Sequence, residues 1–308
     1  MVLAAVRLFH ELGFISKFKI ESRVLVRWLI TVQRNYRKVP YHNWRHAFNV
    51  AHNMYCLLTT CEMGSTFSDL ECLGMFVGCI CHDLDHRGTN NAFQEKSGSA
   101  LALLYGSQNT MEQHHFNHAV MILNSEGHNI LKNLSSSQYS TTMNILKHSI
   151  LATDLSMYFQ IRAMFFPLIA SGDYSFAKDE HRELLRSLMM TACDLGASCK
   201  PWDIQLRVVK SVTSEFFDQG DLEKQTLNIT PPALMDRDRK HELPKLQMRW
   251  IKDICLPLYE NLSKINPRIV VLKDTAYRNM IRWSNLAASQ DSGTQDLDEI
   301  PDEAIPEG

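Results

Sequence analysis

Apolar residues in this chain return at steps of three and four along almost its whole length, and no alternating polar and apolar stretch long enough for a strand interrupts them. Val24, Leu25, Trp28 and Leu29 set that spacing within residues 22–32, and residues 143–151 and 184–195 repeat it. Such a period gathers apolar side chains on one face of a helix but would scatter them over both faces of a strand. The expected fold is therefore all-α. Start signals agree with it: Ser68 precedes an acid-containing apolar run, Ser137 opens another, and Pro201 stands where a helix can begin. Residues 1–15 are apolar but broken by Arg7, His10 and Glu11, which suits an amphipathic helix rather than a secretory signal. Turn-forming clusters at 85–91 and 229–232 separate the helices.

Between residues 5 and 288 there is no linker, repeat or low-complexity stretch, so residues 1–288 read as a single compact multi-helix domain. The remaining 289–308 carry seven acids and no Lys or Arg, and are expected to form a disordered tail. An apolar helix at the very start suits a catalytic fragment of a longer protein. A formal charge of −2 fits neither a nucleic-acid coat nor a membrane-surface protein, and the longest charge-free apolar run, residues 72–81, is too short to span a bilayer. Eight cysteines with no Cys-x-x-Cys pair read as buried free thiols of a reducing compartment, which points to the cytoplasm.

Tyr41-His42-Asn43-Trp44-Arg45-His46, Cys81-His82-Asp83-Leu84-Asp85-His86 and Thr191-Ala192-Cys193-Asp194-Leu195 carry the chemistry. On a helix, His42 with His46 and His82 with His86 would each project from one face. An apolar run leads straight into His82-Asp83, and another into Asp194. Burying an ionised carboxylate costs several kcal/mol or more unless it is paired or holds a cation. Two such carboxylates with at least two imidazoles and no thiolate spacing describe a mixed nitrogen and oxygen site for Zn2+ plus a harder ion, Mg2+ or Mn2+. Ions about 3.5–4 Å apart can share a hydroxide and neutralise phosphate charge during in-line displacement. With its two oxygens Asp83 is the natural bridge, His46, His82 and Asp194 complete the tighter site, and His42 is left free as a general acid.

These blocks, with His82 through Phe93 and Glu215 through Asp221, resemble the catalytic domain of the class I cyclic-nucleotide phosphodiesterases, and within that family its dual-specificity branch. The resemblance covers about residues 1–288. It implies hydrolysis of the 3′,5′-cyclic phosphate of cGMP and also cAMP to the 5′-monophosphate. It places His46, His82, Asp83 and Asp194 on zinc, and His86, Glu112, His115 and Thr153 around the waters of the second ion. His42 becomes the acid for the departing O3′, steadied by Glu215. Gln247 would read the purine edge, while Tyr41, Leu195, Val212, Phe216 and Trp250 would line its pocket. Read without the resemblance, Glu112 is a surface residue, Thr153 a helix end and Trp250 a core residue.

Gln205 stands where cGMP-selective relatives hold the purine-reading amide in one orientation, so a cGMP-specific enzyme is the alternative. Another His-Asp phosphohydrolase would lack the pocket glutamine and the His42 acid, and a dead nucleotide sensor would have lost a metal ligand. The expected partner is a cyclic nucleotide, not nucleic acid. Room is left for a homodimer formed through regions outside this chain.

Overall fold

The computed structural model describes residues 1–291, so nearly all of the acidic tail lies outside the described residues. Fifteen α-helices follow one another there without a strand, as the periodicity implied. An N-terminal group comprises α1 (Val2–Glu11), α2 (Phe14–Lys17) and α3 (Ser22–Arg34). Then come α4 (Trp44–Leu58), α5 (Asp69–Cys81), the short α6 (Asn91–Lys96) and α7 (Ala100–Tyr105), α8 (Thr110–Asn124) and α9 (Ser136–Leu151). The C-terminal half holds α10 (Leu155–Ser171), α11 (Asp179–Asp194), α12 (Trp202–Leu227), α13 (Leu243–Trp250), α14 (Leu256–Ile265) and α15 (Val270–Asp291).

Helix α5 is the axis of the fold. Every residue from Glu71 to Cys81 is buried, because α4, α8, α9 and α11 all pack on it. Each large apolar side chain so buried contributes about 1.5–3 kcal/mol. Helix α9 comes closest: a Cβ on Gly74 would lie 2.5 Å from Ile145 Cγ2, so only glycine allows the two backbones to approach this far. At the N-terminal end, Phe9, Phe14 and Trp28 close the core around Phe76 of α5, with Phe9 meeting Trp28 and Phe76 edge to face.

Ser68 caps α5 as expected, in a reciprocal box: Glu71 N–H donates to Ser68 Oγ (3.2 Å) and Ser68 N–H to Glu71 Oε2 (2.8 Å). The other Glu71 oxygen takes Arg182 and Arg186 of α11, which ties the start of α5 to that helix. The cap of α9 is Ser135, not Ser137. Of the three consecutive serines only Ser135 has Gln138 three residues on, and the two form the same box. Pro201 does cap α12. The N-terminal amphipathic stretch is two helices, broken where Gly13 takes φ 73°. All eight cysteines are free, and six of them are buried. No described helix is long and apolar enough to cross a membrane.

Candidate active site

Three helices have an end at one place. Helix α5 stops at Cys81, so His82 is its C-cap, and Leu84 and His86 close tight turns by donating to Cys81 O (3.2 Å) and Asp83 O (3.0 Å). Helix α11 delivers Asp194 as its last residue, and α4 delivers His46 in its first turn. Asn43 caps α4 by accepting from the Arg45 and His46 N–H groups, so His42 lies before the helix. The two histidine pairs are thus not faces of helices. His42 and His86 leave the helices on either side and stack on each other instead, their ring centroids 4.1 Å apart.

The ligand atoms of His46, His82, Asp83 and Asp194 form one compact cluster. His46 Nε2 lies 2.9 Å from Asp194 Oδ1, 3.3 Å from Asp83 Oδ2 and 3.1 Å from His82 Nε2. His82 Nε2 lies 3.0 Å from Asp83 Oδ2 and 3.4 Å from Asp194 Oδ1. Four donors about 2.0–2.1 Å from a central zinc would be separated by about 3.3 Å, and these five separations of 2.9–3.4 Å lie close to that spacing. His82 Nδ1–H donates to Cys79 O (2.9 Å), which turns its Nε2 lone pair into the cluster. Asp83 Oδ2 is buried there with no hydrogen-bond partner, a position that a cation would satisfy. Asp194 differs from its expected burial, since 22% of its side chain is exposed, toward the cavity.

Asp83 also faces a second set of donors. Its Oδ1 lies 3.8 Å from His115 Nε2, and the ligand atoms of Asp83, His86 and His115 fall within 4.8 Å of one another. His115 Nδ1–H donates to Leu84 O (2.5 Å), which leaves Nε2 bare. Both carboxylate oxygens are therefore directed at groups able to share a metal ion.

Charge follows this geometry. Burial disfavours a proton on His82, but Asp83 and Asp194 outweigh it and hold its pKa well above the imidazole range. Burial would raise the Asp83 carboxyl, yet His82 and His42 keep it well below the usual carboxylate range. His115, more buried than compensated, drops to about 4. Burial together with Asp154 pushes Glu112 up to about 7. For His42 the loss from burial is overcome by Asp83 and Glu215, and its pKa is raised.

The cluster forms the floor of a cavity of about 500 Å³, ordinary for a small-molecule site. Its lining includes Tyr41, His42, Asp83, His86, Glu112, His115, Thr153 and Asp194 on the polar side. Leu195, Gln205, Val212, Glu215, Phe216, Gln247 and Trp250 line the rest. Of the residues singled out from sequence, only His46 and His82 stand behind this surface rather than on it. The lining also includes residues that sequence reasoning missed. Asp154 caps α10 by accepting from Ser156 N–H (2.8 Å), and Asn91 and Asn109 both donate to it. The Asp before an apolar run was the available signal. Leu234 and Met235 sit in a single turn after two prolines, where no periodicity marks them.

At the apolar end, Gln247 and Trp250 come from α13, which continues through a π-helical turn (Ile251–Cys255) into α14. Pro257 has no N–H for the Asp253 carbonyl, and Arg162 of α10 supplies one instead at 3.1 Å. Behind the wall, Trp283 of α15 donates its indole N–H to Gln205 Oε1 (3.0 Å). Among the described residues no hydrogen bond joins Gln205 to Gln247.

A family profile described as 3′5′-cyclic nucleotide phosphodiesterase matches residues 41–276, a stretch that contains every one of these expected site residues. The chain belongs to that family. Among phosphodiesterase relatives, the dual 3′,5′-cyclic-AMP and -GMP phosphodiesterase 11A of Takifugu rubripes is 58% identical over 93% of this chain and 32% of its own length. The cGMP-specific 3′,5′-cyclic phosphodiesterases of Drosophila virilis and Drosophila melanogaster are 50% identical over 96% of this chain, and 33% and 26% of their own lengths. The chain thus spans about a third or less of these curated relatives. The resemblance to the phosphodiesterase family and to its dual-specificity branch, read from the motif blocks, agrees with both comparisons.

Proposed function

We propose that residues 1–288 are a catalytic domain that hydrolyses the 3′,5′-cyclic phosphate of cGMP and cAMP to the 5′-monophosphate. The observation that carries this reading is Asp83: one oxygen is unpartnered among His46, His82 and Asp194, and the other faces His115. His46, His82, Asp83 and Asp194 would hold Zn2+, and Asp83 would also reach Mg2+ or Mn2+, with His86, Glu112, His115 and Thr153 placed to orient its waters. When bound, such ions lower the pKa of water and neutralise phosphate charge.

His42 is the proton donor to the O3′ leaving group. Its Nδ1 is bonded to Glu215 Oε1, so the remaining ring nitrogen is the one free to face the cavity. Glu215 fixes the ring further by accepting from the Tyr41 and His42 backbone N–H groups at 2.8 and 3.0 Å. Opposite them, Trp250, Phe216, Val212, Leu195 and Tyr41 supply walls for a flat base, and the Gln247 amide reads its edge. An amide can turn to offer donor or acceptor, so an untethered Gln247 serves either purine.

A cGMP-selective enzyme is the second reading. Trp283 occupies Gln205 Oε1, which leaves Gln205 an NH2 to offer the cavity. Were that NH2 to take the Gln247 carbonyl oxygen, the Gln247 NH2 would remain for the 6-oxo group of guanine. The absence of a Gln205–Gln247 bond supports dual use. The free, mostly buried cysteines support a cytoplasmic site of action.

Initial rates with cGMP and cAMP side by side, with the products separated by chromatography, test the reading. Both should yield the 5′-monophosphate. Turnover of neither nucleotide, or formation of the 3′-monophosphate, would refute it.

A further inference from the structure

Two residues beyond Asp83 the chain carries a second carboxylate, Asp85, whose backbone takes φ 60° and whose side chain turns away from the cavity. It meets α8 on the other side. Asp85 Oδ2 lies 2.8 Å from His114 Nε2. His118, one turn further along α8, stands on the same face, with its ring centroid 5.7 Å from that of His114. Its Nε2 lies 2.8 Å from the amide oxygen of Asn35, just past the end of α3. Asn35 is held in that pose by donating its NH2 to Thr31 O (2.8 Å), so its oxygen is fixed toward His118. The ligand atoms of Asp85, His114 and His118 all fall within 4.8 Å of one another, and the three side chains are partly exposed, so an ion could reach them from solvent.

We propose that Asp85, His114 and His118 form a further site for a transition-metal ion of the zinc class, with the Asn35 amide oxygen or water as a fourth ligand. Two imidazoles four residues apart on one helix, with a carboxylate opposite, provide the nitrogen and oxygen donors that Zn2+, Co2+ and Ni2+ prefer. Protons now occupy the Asp85–His114 and Asn35–His118 contacts. Exchanging them for a metal opens each contact by about 0.5 Å, to the spacing of tetrahedral ligands. Arg37 Nε donates to the other Asp85 oxygen at 2.7 Å and presents Oδ2 to α8, while Arg87 lies 3.4 Å from Oδ2. The ion would join the end of α3, the loop that carries Asp83, and α8.

The test compares the full chain with its His118→Gln variant, His118 being part of neither the catalytic cluster nor the cavity lining. Both proteins are equilibrated with excess Zn2+, freed of loose metal by gel filtration and measured for zinc per chain. The unmodified chain should retain one equivalent more than the variant. Equal zinc in the two overturns the site. The catalytic centre is common to both, so its failure to load would lower both counts and leave the difference. Should the variant not fold, histidine footprinting with diethyl pyrocarbonate on the unmodified chain decides. Zinc should protect His114 and His118, and unchanged reactivity of both rings overturns the proposal.

Discussion

Glu215 grips His42 twice: one carboxylate oxygen accepts its backbone N–H at 3.0 Å, and the other is bonded to its Nδ1. The carboxylate therefore fixes where the ring stands and also favours its protonated form. A general acid must carry its proton to act, so kcat/KM should fall as pH rises through the raised pKa of His42. Glu215→Gln keeps a hydrogen-bond acceptor but removes the charge. The His42 pKa then drops and the alkaline limb of the profile moves to lower pH. An unmoved limb would show that another group donates the proton.

His42→Ala should lower kcat by about 10²–10⁴ while bound metal is unchanged, because general acid catalysis contributes that much and the ring is not among the four clustered ligands. Parallel loss of metal, measured by elemental analysis, would make His42 a ligand.

Gly220 in α12 faces the turn Ala233–Met235, and a Cβ there would lie 1.8 Å from the Met235 carbonyl oxygen. The clash cannot be relieved by a side chain, since backbone is what it meets. Gly220→Ala should push Leu234 and Met235 off the cavity wall, raise KM several-fold with kcat nearly kept, and lower stability by about 1–3 kcal/mol. An unchanged KM would mean that this turn does not shape the substrate pocket.

For specificity, a rotatable Gln247 should leave cGMP and cAMP within about tenfold of each other in kcat/KM, a difference under about 1.4 kcal/mol. Trp250→Ala should weaken both alike, by about 1–3 kcal/mol, because every purine offers a face to stack. Trp283→Phe frees Gln205 Oε1 and should shift the ratio toward cAMP. A preference for cGMP of a hundredfold or more in the unmutated chain would show that Gln205 locks the amide.

The helical fold was legible because three- and four-residue spacing is imposed by burial on one face, as in α3, where Val24, Leu25, Trp28, Leu29 and Val32 are the buried residues. Ends were less so. The choice of Ser135 over Ser137 turns on Gln138, and the break before His86 depends on Asp85 adopting a left-handed backbone, which no pattern of apolar residues encodes. That His82, Asp83 and Asp194 come together with His46 was legible from the sequence, since a carboxylate after an apolar run demands a partner. The pocket walls were legible only through resemblance. The Trp283–Gln205 contact joins residues 78 apart in sequence, and nothing local to either announces the other.

Metal dependence is the most direct test, since the proposed chemistry begins at Asp83. The chain is stripped with a chelator, Zn2+ and Mg2+ are added back stepwise, and bound metal and 5′-monophosphate formation are followed together. Binding should strengthen as pH rises, because a metal on His82 must displace the proton that Asp83 and Asp194 attract. Turnover should be absent in the stripped chain and rise in step with metal bound, and Asp194→Ala should restore neither. Full turnover from a chain shown to be free of metal would contradict it.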